Sequence, residues 1–220
     1  MATTVATTTT AAATVPEKLV RVSVELFASQ GYAQTSVQQI VDAAGVTKGA
    51  LYHYFKSKDD LLFDIYDRIL SLQREHLEEI VARRLGAEAT MRLVCEDVLV
   101  TSIEWMNEGA TFFRSQHMLS QARQDEVKRR RREYNAAFER VLNAGQREGV
   151  FRTDVPDAVL IAHFFSDVHY LSQWYSSRGP LSREKVASEL TDLFLASLRP
   201  VTASAIGTAI GTVVDSAVGN

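Results

Sequence analysis

Thr47, Lys48, Gly49, Tyr52, His53 and Tyr54 crowd into one short segment, GVTKGALYHYFKSK, running from Gly45 to Lys58. A lysine reaches either a phosphate or the edge of a guanine, tyrosine hydroxyls bond phosphates, and aromatic rings fill space against sugars and thymine methyls. If a helix starts at Thr47, its first backbone N–H groups favour phosphate oxygens, and Gly49 lets the backbone come close to a duplex. Helical spacing turns Ala50, Leu51 and Phe55 inward and leaves the other six outward. The alternative is that LYHYF is a buried aromatic cluster and the lysines are ordinary surface solubilisers.

Two other groups of residues invite chemistry. His163 and Asp167 are four apart on one helical face with His169 nearby, the spacing of a metal site or an acid–base pair. His169 falls off that face, however, and the sequence has no HExxH, no nucleophile elbow and no glycine-rich phosphate loop, so neither an enzyme, a metal site nor a cofactor is expected. The run Lys128, Arg129, Arg130, Arg131, Arg132 is five consecutive cations that point in most directions around a helix. A solvated face paired with Asp125, Glu126 and Glu133 is the plainer reading, with some arginines available for the phosphates of a ligand.

The elements that hold these residues are all helical. No run alternates with strand period, and the prolines stand outside helix interiors. The pattern predicts helices over about 17–30, from a Thr35 or Ser36 N-cap to Gly45, from Thr47 to Phe55, and from a Ser57 cap to about Arg84. It predicts further helices over roughly 88–107, 110–118, 125–148, 156–175 and 182–198. Ala44-Gly45-Val46 separates two short helices, the spacing of a helix-turn-helix whose second helix enters the DNA major groove. The expected fold is therefore all-α, an N-terminal three-helix helix-turn-helix DNA-binding domain (16–62) followed by a larger C-terminal helical ligand-binding and dimerisation domain (63–200). Residues 1–15, rich in Thr and Ala, read as a disordered tail, and 201–220, rich in Gly and small residues, as a flexible tail.

Bulk properties agree with this division. The net charge of −3 gives no global attraction to polyanions, so contact with nucleic acid must come from a local face. Between Glu17 and Lys58 the cations Lys18, Arg21, Lys48, Lys56 and Lys58 outnumber Glu17, Glu25 and Asp42, which makes that segment locally positive. The single cysteine, Cys95, sits in an apolar-periodic stretch and points to a reducing cytoplasm. No secretory signal or membrane-spanning run is evident, so a soluble cytoplasmic protein is expected.

From about Lys18 to Leu62 the chain resembles the DNA-binding domain of the tetracycline-repressor (TetR) family, in LFASQGY, TSVQQIVDAAGV and TKGALYHYFKSKDDLL. Val41 stands where that family usually has alanine. The resemblance implies that Thr35 and Lys58 hold DNA phosphates while Thr47, Lys48, Gly49, Tyr52, His53 and Tyr54 face the groove. One short reading helix makes few contacts, so two copies reading a palindromic double-stranded operator are required. The last two helices offer the dimer surface: Val186, Leu190, Leu193, Phe194 and Ser197 form a stripe on one, and the other is apolar almost all round, from Leu160 to Trp174.

Two helices suffice for dimerisation, so the rest of the C-terminal domain is expected to hold a small hydrophobic effector. Candidate lining residues are Trp105, Phe112, Phe113, His117, Met118, Tyr134, Phe138, Phe165, His169, Tyr170 and Trp174. The segment REYNAAFERVLNAGQREGVFRTDVPDAVLIAHFFSDVHYLSQWYSSRGPLS resembles the acyl-CoA-responsive branch of the family, repressors of fatty-acid and sterol-ring degradation. Some relatives place an arginine before the tryptophan; here Gln173 carries no charge to hold an anion. The resemblance implies a repressor released by an acyl-CoA. A multidrug-type sensor of lipophilic cations is the alternative, for which Asp167 is the one obvious carboxylate in the aromatic helix.

Overall fold

The computed structural model describes residues 13–201, and the expectations for residues 1–12 and 202–220 lie outside the described residues. Among the described residues the chain forms nine α-helices, one short 3-10 turn and no strand: α1 (Val15–Gln30), α2 (Val37–Ala44), α3 (Lys48–Tyr54), α4 (Lys58–Ala82), α5 (Ala87–Glu104), α6 (Met106–Ser115), the turn Gln116–Met118, α7 (Gln121–Arg147), α8 (Asp157–Trp174) and α9 (Arg183–Leu198). The all-α expectation holds. α1 starts two residues earlier than predicted, because the Glu17 carboxylate reaches back to accept from the Thr14 N–H at 2.7 Å and from its hydroxyl at 2.9 Å. That satisfies donors which the helix itself leaves unpaired.

The chain packs as two compact units. The first comprises residues up to Arg68 together with Asn107–Val127, so it holds α1, α2, α3, the start of α4, α6 and the first turns of α7. α1 packs on α2 and α3 around Leu19, Phe27, Ile40, Leu51 and Phe55, all buried. Tyr66 on α4 stacks on buried Phe112 of α6, with ring centroids 4.1 Å apart and planes within 8°. This grouping differs from the contiguous 16–62 and 63–200 division expected from the sequence, because residues far along the chain pack and bond against the start of α4.

The second unit comprises Ile69–Met106 and the residues from Lys128 onward. α5 packs against α9 and α8. Its core includes Met91, Leu99, Phe138, Leu142, Phe164 and Leu195. Cys95 is fully buried there, and desolvation pushes its thiol pKa well up, so it is a packing residue rather than a nucleophile. The apolar surface of α8 divides in two: Leu160, Ile161, Phe164, Val168 and Leu171 are buried, whereas Val159, Tyr170 and Trp174 are exposed. The predicted α9 stripe divides likewise, with Val186 and Phe194 buried and Leu193 67% exposed.

Candidate nucleic-acid interface

α3 is short, and its position depends on the elements on either side. Gly45 ends α2 at φ +66°, in the left-handed region, which lets the chain turn sharply into α3. Thr47 caps α3 by accepting from the Ala50 N–H at 3.1 Å. Leu51 is fully buried and Phe55 nearly so, which fixes the rotation of α3 about its axis. That rotation leaves Thr47, Lys48, Gly49, Tyr52, His53 and Tyr54 exposed, Tyr52 by 52% and Tyr54 by 49%. The buried-cluster alternative is thereby excluded for the two tyrosines. The His53 and Tyr54 rings meet edge to face at 4.7 Å, presenting one contiguous aromatic and polar edge.

Gly49 adds an independent indication. A Cβ there would meet only Thr47 Oγ1 at an ordinary 3.7 Å, so the fold does not require glycine at this position. Glycine inside a helix costs about 1 kcal/mol relative to alanine. Its use on an exposed face suits close approach by another backbone.

Thr35 and Lys58, the two residues expected to hold phosphates, both have partners within the protein. Thr35 is buried to 1% exposure, and its hydroxyl donates to the Gly31 carbonyl at 2.8 Å while accepting from the Gln30 amide at 3.0 Å. It is thus an internal tie between the end of α1 and the start of α2. Ser36 is the N-cap: its Oγ accepts from the Gln39 N–H at 3.2 Å, and the Gln39 side chain accepts from the Ser36 N–H at 2.8 Å. The half-buried ammonium of Lys58 donates to the carbonyls of Tyr32 (2.7 Å) and Thr35 (2.9 Å) and lies 4.2 Å from the centre of the Tyr32 ring. Two of its three donors are spent inside the protein. Burial lowers its pKa, although the Asp59 charge acts in the opposite sense.

A polar network braces this corner. Asp59 accepts from the Tyr32 hydroxyl and, at 2.9 Å, from the Ser120 N–H. Burial alone would raise the Asp59 pKa, but these bonds and the Lys58 charge outweigh it and the pKa is lowered. Asp60 accepts from the Lys56 N–H at 2.9 Å and from Arg123, whose guanidinium lies 4.5 Å from the centre of the Phe63 ring. Sequence periodicity gives no sign of this bracing, since Ser120 and Arg123 lie some sixty positions from their partners. Lys56 does not belong to the predicted contact set. It is exposed one residue beyond buried Phe55 and counts among the cations of the locally positive segment.

The predicted effector residues divide between the two units. Phe112 is buried core in the first unit, Phe113 meets Tyr66 and Phe112 edge on, and His117 and Met118 are exposed. In the second unit Trp105 is half-buried at the end of α5, Tyr134 and Phe138 are buried, and Tyr170 and Trp174 are exposed on α8. Phe165 links part of the set, lying edge to face with Tyr134 at 6.0 Å and Phe138 at 5.5 Å, and 6.3 Å from the His169 ring. His169 retains exposed surface, yet desolvation of the imidazole and then the Arg131 charge push its pKa down to about 4. A cleft of about 360 Å³ in the same unit is lined by none of these residues. No group of three or more metal-ligating side chains occurs among the described residues, and none of their helices is long and apolar enough to cross a membrane.

A capped reading helix with an exposed basic and aromatic edge, in a chain that also has a larger helical unit, defines a helix-turn-helix DNA-binding regulator. Residues 19–65 match the family model described as bacterial regulatory proteins, tetR family, and residues 85–198 match that of the tetracyclin repressor-like C-terminal domain. The chain belongs to the TetR family of transcriptional regulators. It is 29% identical over 187 residues to the HTH-type transcriptional repressor KstR2 of Rhodococcus jostii, covering 82% of this chain and 89% of that protein. The structure of KstR2 of Mycobacterium tuberculosis, described as a ketosteroid transcriptional regulator, shares the fold at a TM-score of 0.73 and 22% identity, covering 86% of this chain and 96% of that one. AibR, solved in complex with isovaleryl coenzyme A and operator DNA, shares it at a TM-score of 0.69 and 22% identity, covering 86% of this chain and all of AibR.

Proposed function

We propose that the chain is a repressor that grips a palindromic operator as a dimer and releases it when a hydrophobic acyl-CoA binds the second unit. The observation that carries the DNA half is the outward edge of α3, where Lys48, Tyr52, His53 and Tyr54 stand exposed while Leu51 anchors the helix from beneath. Lys48 and Lys56 supply the phosphate or guanine contacts. Thr35 and Lys58 hold the α1–α2 corner that orients them. The exposed apolar residues Val159, Tyr170 and Trp174 on α8 and Leu193 on α9 form the surface that a second copy covers.

The effector class rests on likeness to KstR2 along most of both chains and on the isovaleryl-CoA bound by AibR, which shares the fold. The effector must bind the form that does not hold DNA more tightly than the form that does, or it shifts nothing. Helices α4 and α7 each run through both units without a break, so they are the connections along which that preference reaches α3.

Fluorescence anisotropy with labelled operator fragments from the chain's own upstream region tests the proposal. Tyr52→Ala, Tyr54→Ala and Lys48→Ala should each weaken binding about five- to a hundredfold without changing thermal stability. A panel of acyl-CoAs should then release the wild-type protein. Retention of full operator affinity by all three variants would overturn the α3 assignment, and operator affinity unchanged by every acyl-CoA would remove that effector class.

A further inference from the structure

Going beyond the operator and the acyl-CoA, we infer that a cleft between the C-terminal half of α4, the start of α5 and the C-terminal half of α7 binds a medium-chain carboxylate. The cleft encloses about 360 Å³. It exists because small residues line its floor: Ala87, Ala137 and Ala144 leave room beside Leu77 and Val141. Val81 and Leu85 form lips that are each 44% exposed, an apolar surface that the described chain does not cover. The volume lies at the small end of the range for ligand sites, which suits one short alkyl chain.

The charged residues at the cleft select the head group. Glu78 pairs with Arg74 at 3.5 Å, and Glu148 accepts from the Ala87 N–H at 3.0 Å, where the start of α5 favours a negative charge. Both acids are therefore occupied. Arg140 lines the same cleft, and among the described residues no carboxylate pairs with it. A guanidinium beside an apolar slot fits a carboxylate whose tail fills the slot. Glu78 and Glu148 at the rim repel the several charges of a polyphosphate more strongly than the single charge of a carboxylate, so this site is chemically distinct from one for the body of coenzyme A.

Isothermal titration calorimetry on the full-length protein tests the inference, with octanoate, decanoate, decanol and decylammonium below their micellar concentrations. Decanoate should bind once per chain, about tenfold more tightly than octanoate, since each buried methylene strengthens binding three- to fourfold. Arg140→Gln should weaken decanoate about tenfold and leave decanol unchanged. Ala144→Leu, which fills the slot, should abolish binding of both. Absence of decanoate binding, equal affinity for decanol, tighter binding of decylammonium or an unaffected Arg140→Gln protein would each overturn the assignment. Arg140 is exposed, so its variant decides the matter even if Ala144→Leu does not fold.

Discussion

Replacing Lys58 by Met separates an internal role from a DNA contact. The substitution keeps much of the aliphatic stem but removes the ammonium, leaving the Tyr32 and Thr35 carbonyls without their donor and removing the contact with the Tyr32 ring. A fully buried acceptor left unpaired costs about 1–3 kcal/mol, and the half-buried setting lets water replace part of the loss. The expected destabilisation is about 1–2 kcal/mol for the two carbonyls together. In a chain of this size that lowers Tm by roughly 2–8 °C. Far-UV circular dichroism at fixed protein concentration measures it. The salt dependence of operator binding supplies the second reading. Each phosphate neutralised contributes about −0.9 to the slope of log K against log salt, so loss of one contact in each subunit would flatten it by roughly 1.8. Lys48→Ala should flatten the slope in this way if its partner is a phosphate, with no change in Tm. A Lys58→Met protein as stable as wild type, with the flattened slope, would show that the ammonium serves DNA and would refute the internal role.

Further expectations concern backbone and titration. Gly45→Ala should destabilise by about 1–2 kcal/mol, measured by urea unfolding, because φ is +66° and no steric contact adds to the backbone term; an unchanged midpoint would contradict it. Gly145→Ala should cost about 1–3 kcal/mol by overpacking, since its Cβ would fall 2.0 Å from the buried Phe151 ring; Phe151→Ala in the same background should relieve the clash. Asp59 has a folded pKa below its ordinary 3.8, so its contribution is fully present above that value and is lost as pH falls through the folded pKa. The acid limb of the stability curve should therefore be shallower in Asp59→Asn. The His169 imidazole should titrate by NMR near 4, so it stays neutral at pH 6; a midpoint near the ordinary 6.5 would show that its ring is solvated.

The helices, their caps and the outward edge of α3 could be read from the sequence, because each depends on contacts within one turn or on the period of the apolar residues. Ser36, Thr47 and Gly45 act on neighbours three or four positions away, and Leu51 and Phe55 fix the outer face by occupying the inner one. The placement of Lys58 depends on carbonyls more than twenty positions away, and that of Thr35 on Gln30 and Gly31 in the turn before it. An exposed phosphate ligand and a buried tie are the same residue types at the same spacing, and helical period does not show that the Gly31 carbonyl lies within reach of Thr35 or the Tyr32 and Thr35 carbonyls within reach of Lys58. The aromatic residues of the C-terminal helices posed the same problem. Helical period marks a side chain as apolar-facing but does not say whether another ring or empty space lies opposite, which is why Phe138 proved to be core. The cleft of about 360 Å³ is lined largely by alanines, valines and leucines, because small residues on facing helices create room that no motif announces.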